Sequence, residues 1–445
     1  MIGREVPLMH RYDRGNYRTR NTKAGDALIS TFMGVALTVA ATEDEDRRAP
    51  VAAGGGESGL VLLARNRREC RGHLHELPVV DPYERSAGIG VGQLVEHRAR
   101  IITRLVSSTT ETNGWLAALL GVDSLEEGAE LDVHGRHAVV RDGILRVGLD
   151  ASDQQADTAK MFGFKWTQED TFTRPDYLEK TRWWLESRYG RLADAPWLKE
   201  HGPDPIVLDA GCGAGLSGRE VFGPLAGRVR YLGADITPAV DAAKRRFADI
   251  DMPGTAFLQA DLLDLPLAPA SLDLIFSEGV LHHTDSTEGA IKALAPLLKP
   301  GGRFLFYVYR RKALIREFSD DAIRDQLQAM TPEEAWAAIE PLTKLGIALG
   351  ELNVEIEVPE AVDVLGIPAG TMNLQRLFYW NIFKAYYDPE MTLGEMQHLN
   401  FDWYAPKNAS RHTEEEVTAW CDEAGMDVED VHVHLAGITV RARKR

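Results

Sequence analysis

A chain of 445 residues is long enough for two or three domains of ordinary size and for a sizeable core. Its 44% hydrophobic and 26% charged residues are ordinary for a soluble globular protein. The formal net charge of −17 argues against nucleic-acid binding, which draws most of its affinity from Lys and Arg on phosphates. Cys70, Cys212 and Cys421 lie far apart and form no CxxC pair, so neither a disulfide framework nor a cysteine-rich metal site is expected. A reducing, cytoplasmic location fits that usage.

Taken in chain order, the first 150 residues carry no catalytic signature and are read as an N-terminal region of α+β character without an assigned role. Ala27–Ala41 is apolar and follows a basic stretch, but is shorter than the roughly 20 residues a membrane-spanning helix needs. A buried element is expected there, and no membrane partner. Ala52–Gly59 has the composition of a flexible loop, and Leu94–Val106 has helical spacing of apolar residues. Ala138–Leu145 reads as strand, turn, strand, with Asp142-Gly143 as the turn. A polar linker is expected next, then the aromatic run Phe162–Trp166 and an amphipathic helix over Tyr177–Tyr189.

From Ile206 strands and helices alternate, which predicts a parallel sheet with crossover helices. Strands are expected at Ile206–Asp209, Val229–Asp235, Ala256–Asp261, Leu272–Ser277 and Arg303–Tyr309, with Lys299–Gly302 as a tight turn before the last. Residues 314–398 are expected to be mostly helical, with the aromatic section Leu377–Tyr387. Thr413–Ala424 begins with a capping box, Thr413 and Glu416. A final strand pair is expected at Val428–His434 and Ile438–Arg443.

The chemistry concentrates at the strand ends. Val207-Leu208-Asp209-Ala210-Gly211-Cys212-Gly213-Ala214-Gly215 runs from a strand into a glycine-rich turn, where missing Cβ atoms let a ligand approach the backbone. Its third glycine comes one residue too early for the dinucleotide fingerprint G-x-G-x-x-G. That spacing suits a ligand without phosphate, whose aminoacyl part lies against the loop. Asp235, ending the second strand, is placed to accept from both hydroxyls of a ribose, and Asp261, after the third, to meet an adenine amine. Each Asp alone is equally well a cap or turn former; the succession at adjacent strand ends is what points to a nucleoside ligand.

In that order and spacing, VLDAGCGAG, YLGADITPAV, FLQADLLDLPLAPASLDLIFSEGVLHHT and LAPLLKPGGRFLF resemble the ubiquinone-biosynthesis-type family of class I S-adenosylmethionine (SAM) dependent methyltransferases. The resemblance is strong over about a quarter of the chain, Val207–Tyr309. It implies an α/β fold with a Rossmann-like seven-stranded sheet, a helical lid insertion and an additional N-terminal region. The domain organisation expected is 1–150 as the N-terminal region, 151–313 with 399–445 as the SAM-binding domain, and 314–398 as a lid inserted after the fifth strand. SAM is the implied cofactor and S-adenosylhomocysteine the product. By the same resemblance Asp209, Gly211, Cys212, Gly213 and Gly215 hold the methionine part, Asp235 and Ile236 the ribose, and Asp261 and Leu262 the adenine. Ser277, Glu278 and Gly279 pass beside the cofactor. VRDGIL (140–145) and FGFKW (162–166) loosely match a subgroup that carries a small zinc-ribbon-like segment; the zinc cysteines are absent here and no metal is expected.

Methyl transfer from SAM needs a nucleophile held in line and water excluded, and a base only when the acceptor has a proton to lose. His282 and His283, just after the fourth strand, are the candidates for that base, with packing or hydrogen bonding as the plainer role for either. Phe162, Trp166, Tyr309, Trp380, Asp402, Tyr404 and His412 are the candidates for the acceptor side, each with core packing or turn formation as the plainer alternative. The acceptor expected is a small molecule of specialised or sugar-derived biosynthesis. RNA or protein methylation, a SAM enzyme of non-methylating chemistry, and carrier-protein docking by the N-terminal region stay open, as does a homodimer.

Overall fold

The computed structural model describes residues 114–148, 151–166, 172, 174–248 and 250–445. The chain divides into two compact units, Met1–Glu96 and His97–Arg445, and every described residue belongs to the second. The expectations for Ala27–Ala41, Ala52–Gly59 and Leu94–Val106 lie outside the described residues.

After a helical stretch over residues 114–120 come three short strands, β1 (Glu130–Val133), β2 (Arg136–Arg141) and β3 (Ile144–Val147). Asp142 (φ 55°) and Gly143 (φ 61°) turn β2 into β3 as anticipated, with two positive φ angles in succession. The Glu127 carboxylate accepts both of their backbone N–H groups, at 2.7 and 2.9 Å, and fixes the turn. Helices α1 (Asp153–Lys165) and α2 (Pro175–Tyr189) follow. The supposed polar linker is thus the body of α1, started by the Ser152 side chain, which accepts from the Gln155 N–H.

The alternating region then runs β4 (Ile206–Ala210), α3 (Leu216–Phe222), β5 (Arg230–Asp235), α4 (Val240–Ala248), β6 (Thr255–Gln259), β7 (Leu272–Glu278), α5 (Thr287–Leu294) and β8 (Leu298–Tyr309). The segment Lys299–Gly302 is not a turn ahead of β8 but a bulge within it. Leu272 pairs with Leu298 and Leu274 with Arg303, so the extra residues loop out, with Gly301 at φ 84°.

Beyond β8 come α6 (Leu314–Leu327), α7 (Pro332–Glu351), β9 (Glu355–Val358), β10 (Gly370–Asn373), α8 (Leu374–Asn381) and α9 (Leu393–Tyr404). The insertion is helical as expected, apart from the β9–β10 hairpin. The chain closes with α10 (Glu414–Glu423), β11 (Met426–Val433) and β12 (Gly437–Lys444). Thr413 and Glu416 do form the capping box of α10.

Ten strands join one sheet in the order β1-β2-β3-β6-β5-β4-β7-β8-β12-β11. Strands β4 to β8 are mutually parallel, β12 pairs antiparallel with β8, and β11 at the far edge pairs antiparallel with β12. Counting from β4, the seven strands from β6 to β11 run 3-2-1-4-5-7-6. This is the Rossmann-like sheet that the resemblance implied. The three extra strands dock on its β6 edge, where Leu145 and Arg146 of β3 pair in parallel with Leu258 and Gln259. The boundary expected near residue 150 therefore falls beside strands that belong to the same sheet.

The central strands are apolar runs because both of their faces are covered. Leu208, Ala210, Leu232, Ala234 and Ile275 face one layer, which includes α5 and α10. Val207, Tyr231, Leu274 and Phe276 face the other, with α2, α3 and α4. The helical insertion shares a separate core with its flanking helices, built from Met161 of α1, Leu327 of α6, Ile339 of α7 and Phe401 and Tyr404 of α9.

Candidate active site

The loop after β4 is held in shape by the neighbouring strand. The N–H groups of Gly211 and Cys212 both donate to the Ala234 carbonyl, at 2.8 and 3.0 Å. Gly211, Gly213 and Gly215 all have positive φ, at 81°, 50° and 78°. A Cβ on Gly211 would lie 2.2 Å from one Val280 methyl and 2.5 Å from the other. Gly211→Ala is therefore expected to lower folding stability by about 2–5 kcal/mol, from left-handed strain and overpacking together. Thermal unfolding reads the loss, and adding Val280→Ala should recover part of it.

Three carboxylates lie at or just past the carboxyl ends of β4, β5 and β6. Asp209 is buried behind the loop and accepts from the Tyr231 hydroxyl at 2.6 Å. Burial pushes its carboxyl up to about 7. It lies against Gly218 of α3, where a Cβ would stand 2.2 Å from its Oδ2. Asp235 accepts from the Gly213 N–H through one oxygen and from the Thr237 N–H and hydroxyl through the other, at 2.7–2.8 Å. Burial raises its carboxyl, opposed by those hydrogen bonds. One lone-pair position on the Gly213-side oxygen stays uncommitted among the described residues. The Ile236 carbonyl accepts from the Gln259 amide at 3.1 Å. Asp261 caps the short turn Leu262–Asp264 by accepting from the Leu263 N–H at 2.9 Å. It is thus the turn former that the plainer reading gave, with its second oxygen still available.

At the end of β7, Ser277 donates to the Ala210 carbonyl at 2.8 Å. Glu278 accepts from Arg188 at 3.0 Å and from the Tyr189 hydroxyl. Burial raises the Glu278 carboxyl, and Arg188 opposes the rise. The Arg188 guanidinium is itself clasped between the rings of Trp184 (3.7 Å) and Tyr307 (3.9 Å). A Cβ on Gly279 would meet nothing within 4 Å, so this strand end borders open space beside the glycine loop.

The turn Leu281–His283 carries both histidines inward. His283 has its Nδ1 2.6 Å from the Asn408 carbonyl, which only accepts, so Nδ1 carries the proton and Nε2 the lone pair. Burial pulls its imidazole down to about 3. The His282 ring lies 3.6 Å from that of Tyr309, and neither of its nitrogens has a hydrogen-bond partner among the described residues. Phe162 meets His283 edge-on at 4.9 Å. Trp166 lies against Gly213 on one side, 3.0 Å from where a Cβ would stand, and near His398 of α9 on the other, at 5.9 Å between rings.

Phe162, Trp166, Tyr309, His282 and His283 are thus brought together beside the glycine loop. Asp402 joins them through Lys165, 2.5 Å away. Asp402 and Tyr404 stand on α9. Tyr404 is turned into the lid, where its hydroxyl donates to Asp320 at 2.8 Å. His412 belongs to the sheet-side scaffold: its Nε2 lies 2.8 Å from the Thr287 hydroxyl, and its ring abuts Trp420. Trp380 is half-buried and its ring meets Tyr379 of the same helix at 4.5 Å, an intrahelical contact that leaves it outside the cluster. Sequence reasoning missed Lys165, Trp403, Asn408 and Arg188. The FGFKW run held a signal for Lys165 alone.

Residues 208–306 match a family model described as "Methyltransferase domain". A probable tRNA methyltransferase 9B of Mus musculus is 32% identical over 126 residues, 27% of this chain and 26% of that protein. An uncharacterized methyltransferase of Mycobacterium bovis is 38% identical over 98 residues, 22% of this chain and 46% of that protein. A sterol 24-C-methyltransferase of Gibberella zeae is 24% identical over 225 residues, 46% of this chain and 56% of that protein. The chain spans about a quarter of the first of these relatives and about half of the other two. The strand order, the glycine loop and the family match together define a class I, SAM-dependent methyltransferase domain within the chain. Among the described residues no helix is long and apolar enough to cross a membrane.

Proposed function

We propose that the whole chain is a SAM-dependent methyltransferase of the ubiquinone-biosynthesis type acting on a small-molecule acceptor under the lid 314–398. The observation that carries this is the set of strand-end groups, Gly211–Gly215, Asp235 and Asp261, at the carboxyl edge of the 3-2-1-4-5-7-6 sheet. They fit the cofactor: Asp235 keeps an acceptor position for a ribose hydroxyl, Asp261 keeps an oxygen for the adenine amine, and Gly279 borders open space. When bound, SAM would supply a sulfonium-activated methyl group, which passes to the acceptor's lone pair by in-line attack at its carbon as the S–CH3 bond breaks and S-adenosylhomocysteine leaves.

The protein's part is positioning and exclusion of water. Phe162, Trp166 and Tyr309 wall the cleft with rings. His283 orients the acceptor's O–H or N–H through Nε2. With an imidazole held at about 3 it is a weak base, so it takes the proton late, once methylation has made that proton strongly acidic. His283→Gln is expected to slow turnover at least about 10²-fold while leaving S-adenosylhomocysteine affinity within about twofold, read by single-turnover kinetics and calorimetry.

The net charge of −17 favours a small molecule over RNA. The relatives named as probable tRNA methyltransferases support the other choice, over a stretch of 126 residues. Labelled methyl transfer from SAM, offered bulk tRNA in one arm and small-molecule extracts in the other, separates the two. Label in tRNA alone would overturn the small-molecule assignment, and no S-adenosylhomocysteine release in either arm would count against methyl transfer.

A further inference from the structure

The lid interior carries more positive charge than its carboxylates balance. Two of its buried cations are paired, Arg316 with Asp320 at 2.6 Å and Lys165 with Asp402 at 2.5 Å. Three others meet only carbonyl oxygens among the described residues. Arg324, 4% exposed, donates to the Trp403 and Pro406 carbonyls at 2.8 and 3.2 Å. Lys384, 8% exposed, donates to the Leu399 carbonyl at 2.7 Å. Half-buried Lys312 donates to the Leu435 and Ala436 carbonyls at 2.5 and 2.7 Å. Carbonyls satisfy hydrogen bonds without balancing charge: burial pushes the Lys384 amine down to about 7 and Lys312 well below its ordinary value, opposed only in part by Asp402, Asp320 and Glu317, and an anion beside them would reverse that.

These three cations share one neighbour. Lys384 lies 5.0 Å and Lys312 5.5 Å from the centre of the Trp403 ring, and Arg324 holds that residue's carbonyl. Trp403 lies 4.4 Å from Tyr309, whose other neighbour is His282 at 3.6 Å. His282 is fully buried, and both of its ring nitrogens lack a partner. Buried nitrogens of that kind normally have one, and a neutral imidazole has an N–H to give. The unpartnered histidine and the unbalanced cations therefore flank the same pair of aromatic rings.

We infer that the acceptor is an anion, a planar carboxylate-bearing molecule whose ring lies against Tyr309 and Trp403 and whose carboxylate meets His282 and the Lys312, Arg324 and Lys384 cluster. This rests on reading the cleft as the acceptor side of a methyltransferase, and names the acceptor's class.

Benzoate and benzyl alcohol, nearly equal in shape but different in charge, are the probes. Each is titrated into the full chain by ligand-observed magnetic resonance, with and without S-adenosylhomocysteine, whose own binding is measured by calorimetry. Benzoate is expected to bind at least about tenfold more tightly than benzyl alcohol. Lys384→Met should bring that ratio below about threefold without altering S-adenosylhomocysteine affinity. Equal binding of the two probes, or no binding of either, to wild-type protein overturns the anion assignment and needs no variant that folds. S-adenosylhomocysteine failing to bind would instead count against the methyltransferase reading, since the probe ratio is also read in its absence.

Discussion

Asp235→Ala is expected to weaken S-adenosylhomocysteine binding by roughly 10–10²-fold, the largest loss of any single change at the cofactor side. A hydrogen bond to a charged group contributes about 1.5–3 kcal/mol, and Asp235 keeps one acceptor position for a ribose hydroxyl. The protein also depends on this side chain. Gly213 and Thr237 donate three hydrogen bonds to it, so alanine leaves the glycine loop untied as well as the ligand. Thr237→Val removes one of those ties and spares the carboxylate. It should cost far less affinity, and comparing the two by calorimetry separates the ligand contact from the bracing of the loop. Affinity within about threefold of wild type in a folded Asp235→Ala protein would remove Asp235 from the cofactor site. Melting curves of both variants supply the folding control.

That the cofactor side could be read from sequence has a physical cause. A parallel strand covered on both faces has no alternation to obscure its end, so Val207–Asp209 and Tyr231–Asp235 stop visibly at a Gly or an Asp. Backbone turns that need positive φ leave glycines behind, and carboxylates at strand ends stand out in an apolar run. The acceptor side had no such local signature. Helix α1 buries Gln155, Thr158 and Lys165, polar residues that break the apolar period, so its body looked like a linker. Lys165 meets Asp402 across 237 positions of sequence, and Asn408 ties His283, Gln155 and Asp285 together from a loop. Such contacts exist only once the lid has folded. Nor does sequence show where Tyr404 and His412 turn: helix phase carries Tyr404 toward Asp320, and the bridge from His412 to Arg310 turns the other toward the sheet.

The same buried polar interior sets the protein's response to acid. Melting temperature is expected to fall by about 5 °C between pH 7.5 and pH 4.5, well before ordinary carboxylates are fully protonated. Burial pulls His283 down to about 3, His398 to about 2 and His412 and His434 to about 4, and holds His282 well below its ordinary value. In the unfolded chain each titrates near 6.5, so below that pH the unfolded state binds protons that the folded state refuses. Stability from these groups is complete above about 6.5 and declines as pH falls toward the folded values. At pH 4.5 His283 and His398 each cost about 2–3 kcal/mol, and His282, His412 and His434 add to that loss. Asp209 works the other way. Its folded value of about 7 exceeds the unfolded one, so acid favours the folded form and returns about 3 kcal/mol. Asp235 and Glu278, also raised by burial, offset a further part. The histidines win because they are more numerous and most sit further from their unfolded values, leaving a net loss of a few kcal/mol, and each kcal/mol moves the melting point of a chain this size by about 1–2 °C. His283→Gln removes one of them and should flatten the pH dependence. A melting point level across that range would mean that these imidazoles accept protons in the folded state, and that the cleft around them is open to water.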